Sequence, residues 1–366
     1  VYNALINTGN TAGQSQVSLS GAAANAPIFP NVLTSAPAGA TAVQFFAKDF
    51  GAPMIHQFDM IIERELLRNL TVSASYLSSI GRGLPTFYDR NLSIPNASQT
   101  FPIVGGPFGG QSLTLALFPT ARPLTTYAQL TEIASKVKSE YNAFVLQANH
   151  RFSKGLLFMA NYTLAKATDT LQNSTTFTAN NTPFNVFDPA ADRGRSNFDR
   201  RHKFVMSAVY GPRVKADNKF ATALLDGWSI APIYQIFSGI PFDGGVSGSN
   251  GGAGSLNRSG GQNRLFGLLD RNAFTGPTQH VFNLRLSRRF YIKEKANVEF
   301  LGEVFNLPNT LLVTGVNSTM YNLNSTINAT HPVATLDFNA PFGTVTQADS
   351  TLFRERQIQI GIRFQF

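Results

Sequence analysis

The sequence contains no cysteine. No disulfide can hold the fold, and chemistry that needs a thiolate nucleophile or a Cys-ligated metal is excluded. It also lacks any continuous run of the roughly 18 apolar residues that a membrane-spanning helix requires, which excludes a helical membrane protein. Charge is sparse: Asp, Glu, Lys and Arg together make up 14% of the 366 residues. The net charge of +9 would suit nucleic acid. The Lys and Arg are scattered, however, often beside Glu or Asp, and no aromatic–basic RNA-binding signature occurs, so no nucleic-acid partner is expected. The opening VYNALINTGN has neither a basic region nor an apolar core, so no signal peptide is read there. What the chain has in quantity is aromatic: 31 Phe and 10 Tyr, residues that favour strands and membrane interfaces.

The last residues, QIGIRFQF (359–366), alternate strictly. Ile358, Ile360, Ile362, Phe364 and Phe366 are apolar, while Gln359, Gly361, Arg363 and Gln365 lie between them. Period two means one apolar and one polar strand face. The same alternation recurs at 56–65, 70–76, 141–152, 156–164, 202–210, 228–237, 281–290 and 297–305, which makes nine segments with the terminal one. Short turns follow Leu66, Phe152 and Tyr291, and a middling link runs from Gly211 to Gly227. Long polar links occupy 80–139, 167–199, 239–279 and 307–351. Strands of about ten residues in a short–long rhythm are the pattern of a transmembrane β-barrel with short periplasmic turns and long outer loops. The expected fold class is therefore all-β, an antiparallel outer-membrane barrel contacting lipid on its apolar face. Tyr76, Tyr162, Tyr210, Trp228 and Phe290 stand at strand ends, where interfacial girdles would need them. A soluble sandwich is the alternative, but it would seldom carry four loops of this length.

The terminal strand needs a paired edge, because backbone groups in hydrocarbon have no water to bind. Its pattern, polar-x-Gly-x-x-aromatic-x-aromatic at Gln359, Gly361, Phe364 and Phe366, resembles the C-terminal signal by which outer-membrane proteins are handed to the barrel-assembly machinery. An amphipathic strand without signal value is the plainer reading. If Phe366 ends on the periplasmic side, the strand at 56–65 runs inward from outside. Nine strands are odd, whereas single-chain bacterial barrels are even. Residues 1–50 are mostly small and polar and supply no convincing tenth strand, so they read as an outer lead-in, with 51–366 forming the C-terminal strands of a larger barrel.

Several blocks then carry a family resemblance: QFDMIIERELLRNLTVSASYLSSIGRGLP, SEYNAFVLQANHRFSKGLLFMANYTLAKATD, DRGRSNFDRRHKFVMSAVY, DGWSIAPIYQIFSGIPF, FLGEVFNLPN and RQIQIGIRFQF. Together, over about 44–366, they resemble the C-terminal barrel of TonB-dependent receptors, in the Oar-like branch whose members carry a carboxypeptidase-regulatory-like domain before the plug. The resemblance implies a barrel of about 22 strands with a plugged lumen. It also implies energised uptake of a large or scarce nutrient, coupled to the TonB complex through a plug that these residues do not include. A passive porin-like barrel and a surface-exposed structural or adhesive β protein remain the alternatives.

No chemistry-bearing cluster emerges. His56, His150, His202, His280 and His331 are dispersed, so no metal site is expected. Asp188, Asp192 and Asp199 match no calcium-loop spacing and read as solvated loop carboxylates. GGVSGSNGGAGSLNRSGG (244–261) reads as a mobile loop, without the helix or Lys-Ser/Thr of a phosphate cradle. No Ser-His-Asp arrangement can be placed, and neither an enzyme nor a cofactor is expected. The 281–305 hairpin is more informative. Centring its turn on Glu294 sets Arg285 opposite Glu303 and Arg289 opposite Glu299, a charge ladder on the lumenal face. It reads either as a strip that meets plug or substrate, or as ladder stabilisation alone.

Overall fold

The structure, a computed structural model, describes residues 2–6, 14–19, 41–119, 121–171, 183, 185–247, 264–265, 267–293, 296–327, 332–349 and 355–366. Nine strands form its wall: β1 (Met54–Leu67), β2 (Leu70–Asp89), β3 (Tyr127–Ser153), β4 (Leu156–Asp169), β5 (His202–Tyr210), β6 (Trp228–Phe237), β7 (Gln279–Lys293), β8 (Ala296–Phe305) and β9 (Gln357–Gln365). Each pairs antiparallel with its neighbour in the chain. Among the described residues, β1 and β9 each have one partner, so both outer edges of the wall are open.

Two-residue turns close the inner hairpins. Asn69, Lys154 and Gly155 take positive φ there, as tight turns between twisted strands require. Only glycine fits at position 155, where a Cβ would stand 2.6 Å from Pro212 Cα. The third such turn follows Lys293 rather than Tyr291, and its centre at Glu294 lies outside the described residues. The middling link holds a short helix, Lys219–Leu225, whose Asn218 cap accepts the Ala221 amide at 2.6 Å.

Register assigns every wall residue to a face. Met60, Tyr76, Phe144 and Leu164 lie opposite one another across β1–β4. Phe204, Tyr234 and Phe282 continue the row across β5–β7, with ring centroids 6.3 and 6.1 Å apart. A second row contains Phe158, Tyr210, Trp228, Phe290 and Phe300, the last two 5.8 Å apart. All five residues expected in the girdles fall on this face. On β7 the rows are separated by the eight-residue step from Phe282 to Phe290. That step is about 26 Å along the strand. Strand tilt brings it near the roughly 25 Å height of a barrel's apolar band. Ile358, Ile360, Ile362 and Phe364 of β9 are 56–82% exposed, which suits lipid and not water.

The outer side departs from expectation. The link read as 80–139 shrinks to 90–126, because β2 and β3 run on as paired strands far beyond the ten or so residues a span needs. Residues 1–50, read as an outer lead-in without a convincing tenth wall strand, hold short strands at Tyr2–Ile6, Gln14–Leu19 and Thr41–Phe46. The third pairs parallel with the start of β3. Segments of three long links also fold together. Gly245–Ser247, Thr319–Asn324, Thr335–Phe338, Ala97–Val104 and Ser112–Leu117 make one five-stranded sheet. Phe101, Leu265, Met320, Tyr321 and Leu336 are fully buried beneath it. The Tyr321 hydroxyl donates to the Gly105 carbonyl at 3.2 Å and accepts from the Phe108 amide at 3.3 Å. The expected mobile loop at 244–261 therefore begins as an edge strand, and its remainder from 248 lies outside the described residues. We call this packed unit the cap.

Leu336→Ala should cost the cap about 2–5 kcal/mol. Hydrogen exchange should show protection lost in the cap strands and kept in β3–β5. Equal loss in both would contradict a separately packed cap.

Candidate functional site

The inward face of the last hairpin is mainly polar, with Leu301 and Phe305 of β8 sharing it. Arg285 pairs with Glu303 and Arg289 with Glu299, as the turn position requires. The ion pairs measure 3.6 and 3.3 Å, and Arg363 of β9 approaches Glu299 from its other side at 3.9 Å. Glu299 is buried between these two guanidinium groups, and Gln359 stands opposite Glu303. The four residues of the C-terminal pattern do not share a face. Gln359 and Gly361 lie inward, where Gly361 leaves room for Leu301, whose Cδ1 would stand 3.1 Å from an added Cβ. Phe364 lies outward opposite Val298, and Phe366 follows it beyond the strand, fully exposed. His150, His202 and His280 sit apart on the lipid face, each beside an aromatic ring: Phe158, Tyr162 and Tyr234 respectively. His331 lies outside the described residues.

A second polar site was not anticipated. The expectation of solvated carboxylates fails for Asp192 and Asp199, both of which are fully buried. Arg264 reaches from the cap to Asp192, with Asp243 at 3.7 Å. Arg271 is bound to Asp169 and donates to the Asp192 carbonyl at 3.3 Å. Asp199 accepts the Ala167 amide at 2.7 Å and pairs with Arg195 at 2.7 Å. Gly194 completes the fit, since a Cβ there would lie 2.7 Å from Arg271 Cβ. Asp192 of the DRGRSNFDRRH block and Asp169, with Arg264 and Arg271, therefore form a buried ionic clasp that fastens the connection after β4 to the cap. Burial depresses the Arg264 guanidinium to about 10; Arg271 adds to that fall and Asp169 opposes it. Burial likewise pushes the Asp243 carboxyl up. These charges are costly to hold away from water and need their partners. Sequence reasoning could not pair them, because Arg264 and Arg271 lie 72 and 102 residues from the carboxylates they bind. The only signal was the density of charge at 192–201, where Asp192, Arg193, Arg195, Asp199, Arg200 and Arg201 fall within ten residues.

Residues 2–265, well over half of the chain, match the family of the outer membrane β-barrel domain. The chain belongs to this family. An outer membrane β-barrel domain lies in the cell outer membrane, so the apolar face described above meets lipid and the opposite face turns to the lumen. No curated protein matches the sequence. Among solved structures, the domain is similar to the outer membrane transporter YddB from Escherichia coli, at 10% identity and a TM-score of 0.46 over 91% of this chain and 35% of that one. The FrpB iron transporter from Neisseria meningitidis aligns at 11% identity and a TM-score of 0.40, over 89% of this chain and 33% of that one. FpvA of P. aeruginosa, solved with pyoverdines, aligns at 10% identity and 0.40, over 99% of this chain and 32% of that one. The chain thus spans about a third of the length of these structures.

The two polar sites should differ sharply in energy. A double-mutant cycle on Arg285→Ala and Glu303→Ala should give a coupling of about 0.2–1 kcal/mol, as for partly exposed cross-strand pairs. Arg271→Met, which strands a buried carboxylate, should cost about 3–5 kcal/mol. Denaturant unfolding in detergent micelles measures both. A cost for Arg271→Met below that of the lumenal pair would contradict the clasp.

Proposed function

We propose that this domain is the C-terminal part of the barrel of a TonB-dependent receptor of the Oar-like branch, which takes up a large or scarce nutrient across the outer membrane. The observation that carries the reading is the pair of open edges. Among the described residues, nine spanning strands leave β1 and β9 with one neighbour each. Every unpaired backbone group in hydrocarbon costs several kcal/mol, so closure requires further strands. A barrel of the 22-strand class encloses a lumen wide enough to need a plug. In this reading a plug domain outside the described residues fills it and relays contact with the TonB complex, and the strip Arg285–Glu303 and Arg289–Glu299–Arg363 faces that plug or the passing cargo. The cap and its clasp are the rigid outer mouth. No catalytic step and no cofactor enter the reading.

Uptake separates this account from a passive porin. With the full-length protein in cells, transport of the nutrient should stop when the inner-membrane proton gradient is collapsed. Planar bilayers holding the same protein should show no steady open conductance. Uptake that continues without the gradient, together with open channels, would establish the porin instead.

We also propose that Gln359, Gly361, Phe364 and Phe366 are read by the barrel-assembly machinery. Deleting Phe366 removes a ring whose burial is worth about 1.5–3 kcal/mol, a loss that a large barrel survives. The outer-membrane level in cells should therefore fall much further than the yield of full-length protein refolded in detergent. An unchanged level in cells would leave only an amphipathic strand.

A further inference from the structure

Beyond the upper aromatic row, the lipid face becomes basic. The β3–β4 register is unbroken from Ser139 opposite Asp169 to His150 opposite Phe158. Glu140, Asn142, Lys166 and Thr168 therefore share the face of Phe144, Tyr162 and Leu164. Lys166 stands two residues outward of Leu164, and Lys138 six residues outward of Phe144. These steps are about 7 Å and 20 Å along the strands, which places Lys166 at the rim of the apolar band and Lys138 about 13 Å farther out along its strand. The connection after β4 brings Arg193 and Arg201 to the same place. Lys166, Arg193 and Arg201 line a cavity of about 660 Å³. Lys138 and Arg193 line a neighbouring one of about 520 Å³, and Glu140 and Thr168 belong to both walls.

The charge balance there is positive. Of the carboxylates in these walls, Glu140 is held by Arg82 at 3.1 Å and Asp169 is engaged by Arg271, which leaves Asp270. Lys138, Lys166 and Arg193 have no carboxylate within ion-pairing distance among the described residues. Three uncommitted cations thus face a concave surface on the lipid side, which begins at the rim of the membrane contact and extends outward from it. A transport cargo would approach through the lumen, on the other face of the sheet.

We propose that these cavities bind the phosphorylated headgroup of an outer-leaflet lipid, with Lys138, Lys166 and Arg193 as phosphate contacts. Arg193 offers a fork of donors to phosphate oxygens, and the two lysines supply point charges at different heights. The site rests on the outer-membrane assignment and not on the transport reading, so failure of either leaves the other standing.

The test uses full-length protein in detergent, titrated with bis-phosphorylated lipid A, with the same lipid after phosphatase treatment, and with inorganic phosphate, each read by native mass spectrometry. The bis-phosphorylated lipid should bind at least about tenfold more tightly than its dephosphorylated form, and millimolar inorganic phosphate should not displace it. Combined Lys138→Gln, Lys166→Gln and Arg193→Gln should weaken binding roughly 100-fold, given the usual contribution of each cation near a charged membrane surface. Unchanged heat-modifiable migration of the variant shows that the barrel has stayed closed. If the variant does not fold, the comparison of the two lipids decides alone. Equal binding of the two lipids would overturn the proposal, and so would displacement by inorganic phosphate, which would make this a site for a soluble anion.

Discussion

Everything in the wall depends on one constraint: backbone N–H and C=O groups placed in hydrocarbon must find partners within the protein. Nine strands meet it by pairing each with the next in sequence, through turns as short as two residues. Once pairing is fixed, the two faces follow without further choice, since a slip of one residue would exchange lipid-facing for lumenal side chains along the whole strand. Leu284 and Leu286 can meet lipid only if Arg285 turns inward, and Arg285 turned inward meets Glu303. The charge strip is thus a by-product of the same register that makes the apolar band.

Outside the band, water relaxes the constraint and another balance takes over. Strands β2 and β3 continue as a paired ribbon, while links from three parts of the chain close a second core around Tyr321, Phe101 and Leu336. Such a core needs fastening to the wall, and the fastening is ionic. Arg264 and Arg271 give up hydration to reach Asp192 and Asp169, an arrangement that stabilises little in net terms yet tolerates no missing partner. That directional demand suits a clasp whose purpose is to fix one arrangement of the outer links.

How much of this could be read from the residues alone depended on the range of the interactions involved. The alternation in β1 and in β4–β9, the placement of Tyr210, Trp228 and Phe290, and the pairing of Arg285 with Glu303 follow from period two and turn position, both local properties. The cap was missed although SLTLAL (112–117) alternates as cleanly as any wall strand and buries Leu113, Leu115 and Leu117. Cap strands of three to eight residues are too short to span a membrane, and Ala97–Val104 finds its partner Thr335–Phe338 in a link more than 200 positions away. The clasp was invisible for the same reason: a carboxylate in a polar link looks solvated until its guanidinium partner arrives from elsewhere in the chain. Gly361 shows the limit even within a wall strand: the pattern singles it out, but the space that Leu301 needs beside it appears only once β8 and β9 are paired.

The central claim is the register of the wall in the membrane, and the absence of cysteine makes it directly measurable. Single cysteines placed from position 358 to 364 of β9 would each be the sole thiol within these 366 residues, and could carry a fluorophore in native outer membranes. Lipid-borne quenchers should act at 358, 360, 362 and 364, and water-soluble quenchers at 359, 361 and 363. Quenching without that two-residue alternation, or alternation of the opposite phase, would contradict the account.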